Sequence, residues 1–132
     1  MEFDVLRSDR VLLPNMHLRS EEGVLLFWTA DQQSEWRTRP RPVGHYTSTV
    51  WIPGNFLSEG TILVEAVMST PEPVTVHFHE QNAVAFHITD TLDGDSARGD
   101  YGGHIPGAVR PLLDWTTEYE PACDLHQWFA AE

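Results

Sequence analysis

Three histidines on strand-like segments are the residues of this chain whose types and spacing could hold a metal ion. His77 and His79 are two residues apart, so their side chains point to the same face of a β-strand. His87 belongs to the next strand-like segment, and His104 or Glu80 could complete a set of ligands for zinc or iron. The alternative is a polar strand surface without metal, which is the commoner role of such histidines.

The longest stretch with the composition of an ordered loop is Asp93–Trp115, DGDSARGDYGGHIPGAVRPLLDW. It combines five glycines and two prolines with acidic and basic side chains. Its aspartates could form a catalytic carboxylate pair or a calcium loop, but Arg98 occupies the position at which an EF-hand loop that begins at Asp93 needs glycine. Acidic residues that form turns are the more ordinary explanation.

The elements that must position these residues are predicted to be β-strands. Short runs of β-branched and aromatic residues alternate with turn signals, which predicts about eight strands in an all-β, mostly antiparallel sandwich of immunoglobulin-like or jelly-roll type. The predicted strands are Glu2–Leu6, Asn15–Leu18, Val24–Thr29, Tyr46–Ile52, Thr61–Met68, Val74–Phe78, Ala83–Thr89 and Val109–Trp115.

The sequence also predicts which strands pair in two places. The first two strands are expected to pair with each other around Arg7–Arg10. The sixth and seventh are expected to form a hairpin around the turn Glu80–Asn82, which would bring His87 beside His77 and His79. The segment Trp36–Val43 is predicted to be a loop, because its prolines cannot donate to a ladder.

Composition bounds the function. The 132 residues carry 20 acidic and 8 basic side chains, a formal net charge of -12, which repels nucleic-acid phosphates and anionic lipids. All eight basic residues are arginine, so neither a Schiff-base lysine nor a GxxxxGK phosphate loop is present. We expect one compact domain with no nucleic-acid partner, no membrane insertion, no cofactor and no ATPase activity of its own. Its single cysteine, Cys123, is compatible with a reducing, cytoplasmic compartment.

Three ordered blocks carry a resemblance to a known family. They are WIPGNFLSEGTILVEAVMST, VHFHEQNAVAFHITDT and the Asp93–Trp115 stretch. Together with GVLLFWTADQQSEWRTRPRPVGHYTSTVWIPGN before them, they resemble the carbohydrate-binding C-terminal domain of Wzt-type polysaccharide ABC transporters over roughly Glu2–Thr117. The resemblance implies a sandwich that binds the end of an O-antigen-like bacterial surface polysaccharide for export, without making or breaking a bond.

The resemblance also directs attention to side chains that suit sugars. Sugars present apolar C–H faces that stack on aromatic rings, and hydroxyl pairs that suit carboxylates and guanidinium groups. For Arg98 and Arg110, a buried Arg–Asp clamp that only holds the loop is an equal alternative, and tryptophans inside predicted strands are expected mostly in the core. The predicted carbohydrate-binding residues are Trp36, His77, His79, Arg98, Asp100, Tyr101 and Arg110.

The same resemblance sets expectations for domains and partners. Residues 1–117 form the predicted carbohydrate-binding sandwich, trimmed at its leading edge, and residues 118–132 a tail that is compatible with a short helix. A trimmed edge is expected to pair with a second copy, giving a homodimer. The implied partners are the glycan and the ATPase and membrane subunits of a transporter, with the chain peripheral to the inner membrane. A cupin-like metal enzyme that uses His77, His79 and His87, and a dimerisation adaptor without ligand, are the alternatives.

Overall fold

The computed structural model describes residues 1–122, and within them nearly all regular structure is β-strand. A single 3-10 turn spans Glu35–Thr38. This confirms the predicted all-β class, although six strands form in the described part where about eight were expected. The strands are β1 (Glu2–Val5), β2 (Leu13–Ser20), β3 (Leu25–Ala30), β4 (Gly44–Thr47), β5 (Gly60–Pro71) and β6 (Val74–Ile88).

The strands form two antiparallel sheets. The larger has the order β3-β2-β5-β6, and the smaller consists of β1 and β4. The predicted pairing of the first two strands is wrong, because β1 pairs with β4 through Glu2 and Thr47. Phe3 stacks on Tyr46 with ring centroids 5.5 Å apart, whereas β2 pairs along its whole length with the longer β5, which leaves no edge of β2 for β1.

Alternation along β2 and β5 separates a core face from an outer face. Leu18 pairs with Val64 across the two strands, and it is the most deeply buried large side chain of the described residues. It packs with Ile62 and with Leu57 from the connection after β4. Because successive strand residues point to opposite faces, the residues between them face outward, away from this core.

The largest departure from expectation lies in β6. The predicted hairpin at Glu80–Asn82 does not form, and Val74–Ile88 is one strand of 15 residues paired with β5. The turn-forming residues instead produce a bulge: Val64 pairs with Val84 and Ala66 with Glu80, while Asn82 takes the left-handed conformation at φ 54°. The chain reverses earlier, between Pro71 and Val74.

Two further predicted strands are wrong in extent. Strand β4 ends at Thr47, where Tyr46–Ile52 was predicted, and the chain then runs without regular structure to Gly60 apart from one bridge. Val109–Trp115 contributes only that bridge, between Val109 and Leu57. Pro111 lacks the N–H that would extend the pairing. Residues 118–122 form no helix, and the rest of the tail lies outside the described residues.

No helix within residues 1–122 has the length and hydropathy needed to cross a bilayer.

Candidate functional site

A cavity lies between the start of β2, the end of β3 and the segments around β4. Its volume is about 660 Å³, which lies within the range of small-molecule sites. The 3-10 turn positions one wall: Ser34 caps it by accepting a hydrogen bond from the backbone N–H of Trp36 at 3.1 Å. The lining includes Asn15, Asp31, Gln32, Gln33, Ser34, Trp36, Arg41, Tyr46, Ser48 and Trp51.

A stack of aromatic rings and guanidinium groups stiffens that wall. Arg41 is almost fully buried and lies 5.5 Å from the ring centre of Phe3 and 5.3 Å from that of Tyr46. It donates to Asp31 Oδ2 at 3.1 Å. Trp36 meets Tyr46 edge to face at 6.5 Å, and Arg39 covers its ring at 4.5 Å. Cation–π and ion-pair contacts of this kind fix side chains that would otherwise lose rotamer entropy on binding.

The cavity offers the two kinds of contact that a sugar needs. Trp51 lines it while 89% of its surface is exposed, so its indole is free to cover an apolar sugar face. The amides of Gln32 and Gln33 and the hydroxyl of Ser48 supply both donors and acceptors nearby. Among the predicted ligand residues, only Trp36 lies in this lining.

Arg98 and Arg110 form a clamp around Asp90. This is the arrangement expected if the two arginines hold the loop, which was the alternative to sugar binding. Arg98 donates to Asp90 Oδ2 at 3.3 Å and to the backbone oxygens of Tyr101 and Gly103 at 2.8 Å each. Arg110 donates to the same Asp90 oxygen at 2.8 Å, and Glu59 pairs with both arginines. Both arginines are buried, so most of their donors hold the loop.

The remaining predicted residues of that loop lie on the surface. Asp100 and Tyr101 are exposed, and the Tyr101 ring lies over the backbone of Gly103. Neither lines the large cavity. Their role in sugar binding stays a prediction.

The predicted histidine cluster does not form. His77 and His79 lie near the start of β6, whereas His87 is eight residues beyond His79 on the same strand, at a rise of about 3.3 Å per residue. Each contacts a different partner on β5: His77 meets Thr70 at 2.6 Å, His79 meets Glu65 at 3.1 Å, and His87 meets Thr61 at 3.3 Å. Across residues 1–122, no three His, Cys, Asp or Glu side chains are arranged to hold a metal ion.

A second polar cluster, which the sequence did not single out, centres on Glu65 on the outer face of the larger sheet. Arg19 donates to Glu65 Oε1, while His79 Nε2 lies 3.1 Å and His17 Nδ1 3.5 Å from Oε2. The hydrogen bond from Arg19 holds the pKa of Glu65 below its usual value, and burial offsets only part of that shift. Glu65 is therefore an ionised, acceptor-only carboxylate at neutral pH.

Trp51 and Trp28 were left out of the predicted ligand residues because both lie in segments predicted as strand, where tryptophans were expected mostly in the core. Trp51 belongs to a segment predicted as strand, but the strand ends at Thr47 and leaves the indole exposed. Trp28 lies in β3 as predicted, yet it points to the outer face and is 47% exposed. The alternation of Trp28 with buried-side Phe27 was the available signal, but it does not say which face another sheet covers.

The geometry defines a class, an antiparallel β-sandwich with an aromatic and amide-lined cavity. Among solved structures, the chain is similar to the crystal structure of the C-terminal domain of Wzt, with a TM-score of 0.51 and 16% identity over 89% of this chain and 63% of that one. This establishes the fold and confirms the resemblance at that level. The chain thus spans less than two thirds of that domain. No protein-family model matches the sequence, and no curated protein does either.

The clamp predicts a stability effect for Arg98. Replacing it by methionine removes one partner of the Asp90 carboxylate and the donors to two backbone oxygens of the loop, and we expect a larger loss in the free energy of unfolding than in the control. The matched control is Arg39→Met, whose guanidinium pairs with Glu35 at an exposed site and should cost under about 1 kcal/mol. Urea unfolding followed by circular dichroism measures both. Equal losses would mean that the clamp does not hold the loop.

The lowered pKa values predict an acid-dependent stability. Hydrogen bonds from Ser96 and then Arg110 lower the pKa of Asp90, as those from Arg19 do for Glu65. A carboxyl whose folded pKa is depressed contributes stability above its unfolded pKa of about 4, and this is lost as the pH falls through the folded value. We expect the free energy of unfolding to fall below about pH 4.

The variant Glu65→Gln isolates the contribution of Glu65 to the loss of stability at acid pH. It cannot ionise, so its free energy of unfolding should depend less on pH in the acid range than that of the wild type. Glu72→Gln, at the exposed β5–β6 turn, is the matched control. Parallel curves for the wild type and Glu65→Gln would refute the assignment.

Proposed function

We propose that the chain is a non-catalytic carbohydrate-recognition domain that binds the terminal end of a bacterial surface polysaccharide, O-antigen-like, for export by an ABC transporter. The observation that supports this most is the cavity at the end of β3, which combines the exposed indole of Trp51 with the fixed ring of Trp36 and with polar side chains. The sandwich fold shared with the C-terminal domain of Wzt supports the transporter setting.

The size of the cavity favours a short terminal stretch of glycan as the ligand. Residues from β2, β3 and the segments on either side of β4 line it. A volume of about 660 Å³ suits a few sugar units and no more. Sugar sites exchange ordered water for polar contacts, so we expect weak to moderate affinity.

The enzyme alternative has less support. A cupin-like centre needs its histidines within a few ångströms of one ion, and His77, His79 and His87 each contact a different residue of β5. Recognition without catalysis also agrees with the engagement of Asp90 in a structural clamp.

The proposed setting is the cytoplasmic face of the inner membrane, where the chain works beside the ATPase and membrane subunits of the transporter. We propose that it acts there as a homodimer. Strand β6 is an edge of the larger sheet, and its residues Val76, Phe78 and Val84 are more than half exposed. An apolar edge strand of this length is a template for pairing.

The described C-terminal segment has an exposed apolar surface that could cover the apolar edge of β6. Leu112, Leu113, Trp115 and Tyr119 are all more than half exposed and belong to no strand. We propose that this segment of one copy covers the β6 edge of another. Two linked copies would present two cavities to a polysaccharide and increase its apparent affinity.

Substitutions test whether the cavity or the glycine-rich loop binds the glycan. Loss of one aromatic platform costs roughly 1 kcal/mol or more, so Trp36→Ala and Trp51→Ala should each weaken binding by about tenfold. Tyr101→Ala is the comparison, since it removes an exposed ring outside the cavity. The measurement is isothermal titration of purified variants with O-antigen fragments that retain their terminal residue.

The outcomes separate the alternatives. Weakening by Tyr101→Ala alone would move the site to the loop. Absence of binding by the wild type to every fragment, together with a persistent dimer, would favour the adaptor without ligand. Stoichiometric zinc or iron in the purified protein would favour the alternative of a metal-dependent enzyme.

Light scattering coupled to size exclusion tests the dimer. We expect the wild type to elute as a dimer and Trp115→Glu to elute as a monomer, because a charge cannot be buried against an apolar strand edge without a partner. Trp51→Glu is the matched control, with a similarly exposed indole at the cavity, and should stay dimeric. A monomeric wild type at high concentration would exclude the dimer.

A further inference from the structure

The outer face of the larger sheet carries a cluster of polar and aromatic side chains that adjoins the cavity at Asn15, a lining residue bonded to Trp28. Register places Trp28, His17 and Glu65 opposite one another on β3, β2 and β5. Arg19 and His79 flank this row through their contacts with Glu65. Trp28 keeps 47% of its surface exposed.

The carboxylate of Glu65 is an anchor that holds the neighbouring side chains in place and is itself buried, so it does not contact a ligand directly. Its side chain is only 8% exposed, and Arg19 and His79 bond its two oxygens, while His17 Nδ1 lies 3.5 Å from Oε2 without a hydrogen bond. What faces solvent is therefore the partners: 39% of the His79 side chain, 33% of Arg19 and 29% of His17 are exposed. The cluster presents fixed donors and acceptors on a rigid sheet.

The anchor also determines which nitrogen of His79 carries the proton. Glu65 is ionised and can only accept, so the contact of 3.1 Å with Nε2 requires a proton on that nitrogen. In the neutral ring, Nδ1 is then an acceptor. Arg19 has donors directed away from Glu65, one of which reaches the Gly23 carbonyl at 3.3 Å. An acceptor beside donors complements the hydroxyl pairs of a polyol.

The Trp28 ring supplies the apolar part of the surface. Its Nε1 donates to Asn15 Oδ1 at 3.2 Å, and Asn15 itself donates to Leu13 and Ser69. These bonds hold the indole in one orientation with one part exposed beside His17. A fixed aromatic face next to fixed polar groups is the combination that stacks a sugar ring.

We propose that this outer face, built from Trp28, His17, Arg19 and His79 on the Glu65 anchor, is a second carbohydrate site that binds the interior of a neutral polysaccharide chain. It rests on the proposed function and adds a separate location and substrate class. An exposed sheet face lets a chain continue in both directions. A neutral chain is favoured because the net charge of -12 opposes a polyanion.

The experiment compares variants against whole polysaccharides and short end fragments. Affinity electrophoresis through gels that contain mannan, galactan, dextran, alginate or polygalacturonate measures binding to chain interiors, and titration with O-antigen fragments measures binding to ends. We expect at least one neutral polymer to retard the wild type. Trp28→Ala and Glu65→Gln should weaken that retardation by about tenfold, which corresponds to about 1.4 kcal/mol.

Matched controls separate this site from the cavity. His87→Ala removes a histidine from the same face of β6, bonded to Thr61 outside the cluster, and should leave retardation unchanged. Trp36→Ala should weaken binding of end fragments but leave retardation by the polymer. Trp28→Phe should restore part of the retardation, and circular dichroism verifies that each variant folds.

A readout independent of binding tests the anchor. Nitrogen NMR, recorded at a pH at which the imidazole is observed to be neutral, should show the His79 proton on Nε2 in the wild type and a mixture of tautomers in Glu65→Gln. The same mixture in both proteins would overturn the arrangement.

Other outcomes would overturn the second site itself. Retardation by the acidic polymers alone would show that the face takes anions. Failure of every neutral polymer to retard the wild type, while end fragments still bind, would reject the outer site and leave the proposed function standing. Loss of end binding in Trp36→Ala with intact polymer binding would support both sites, whereas no binding of either kind would reject both.

Discussion

The antiparallel pairing of β2 with β5 is the constraint on which the rest of the structure depends. Because side chains alternate along a strand, one register places Leu18 opposite Val64 in the core and His17 opposite Glu65 on the outer face. A slip of one residue would bury the carboxylate cluster and expose the leucine. The buried core and the polar outer surface thus both follow from the same pairing, and both make a slipped register unfavourable.

Ion pairs in this protein fix the positions of loops and side chains at its solvent-exposed surfaces. Asp90 gathers Arg98 and Arg110, and they hold the glycine-rich loop through backbone carbonyls. Arg41 joins Asp31 to the rings of the smaller sheet, and Glu65 orients the outer cluster. Side chains that are fixed in this way suit a binding domain, because preorganised groups lose less entropy when a ligand arrives.

Much of the fold could be predicted because local chemistry is unambiguous there. The alternation in β2, β3 and β5 and the proline-rich loop before β4 identified those elements within a few residues. The glycine-rich loop was correctly identified as ordered, but its arginines could not be assigned to ligand or clamp, since that choice depends on Asp90 and Glu59, which lie elsewhere in the sequence. The candidate cavity was represented only by Trp36, because the other residues that line it come from four separate segments.

The sequence by itself determined an all-β domain with an acidic surface, no lysine chemistry and sugar-compatible side chains, because composition and period-two patterns are local properties. Only the tertiary structure decided that β6 is one long strand, that β1 pairs with β4, and that the three histidines stay apart. The residues Glu80–Asn82 have turn chemistry in either case, and a positive φ at Asn82 serves a bulge as well as a hairpin. The long partner β5 settles the choice, because its ladder continues past the bulge and satisfies backbone groups on both sides of it.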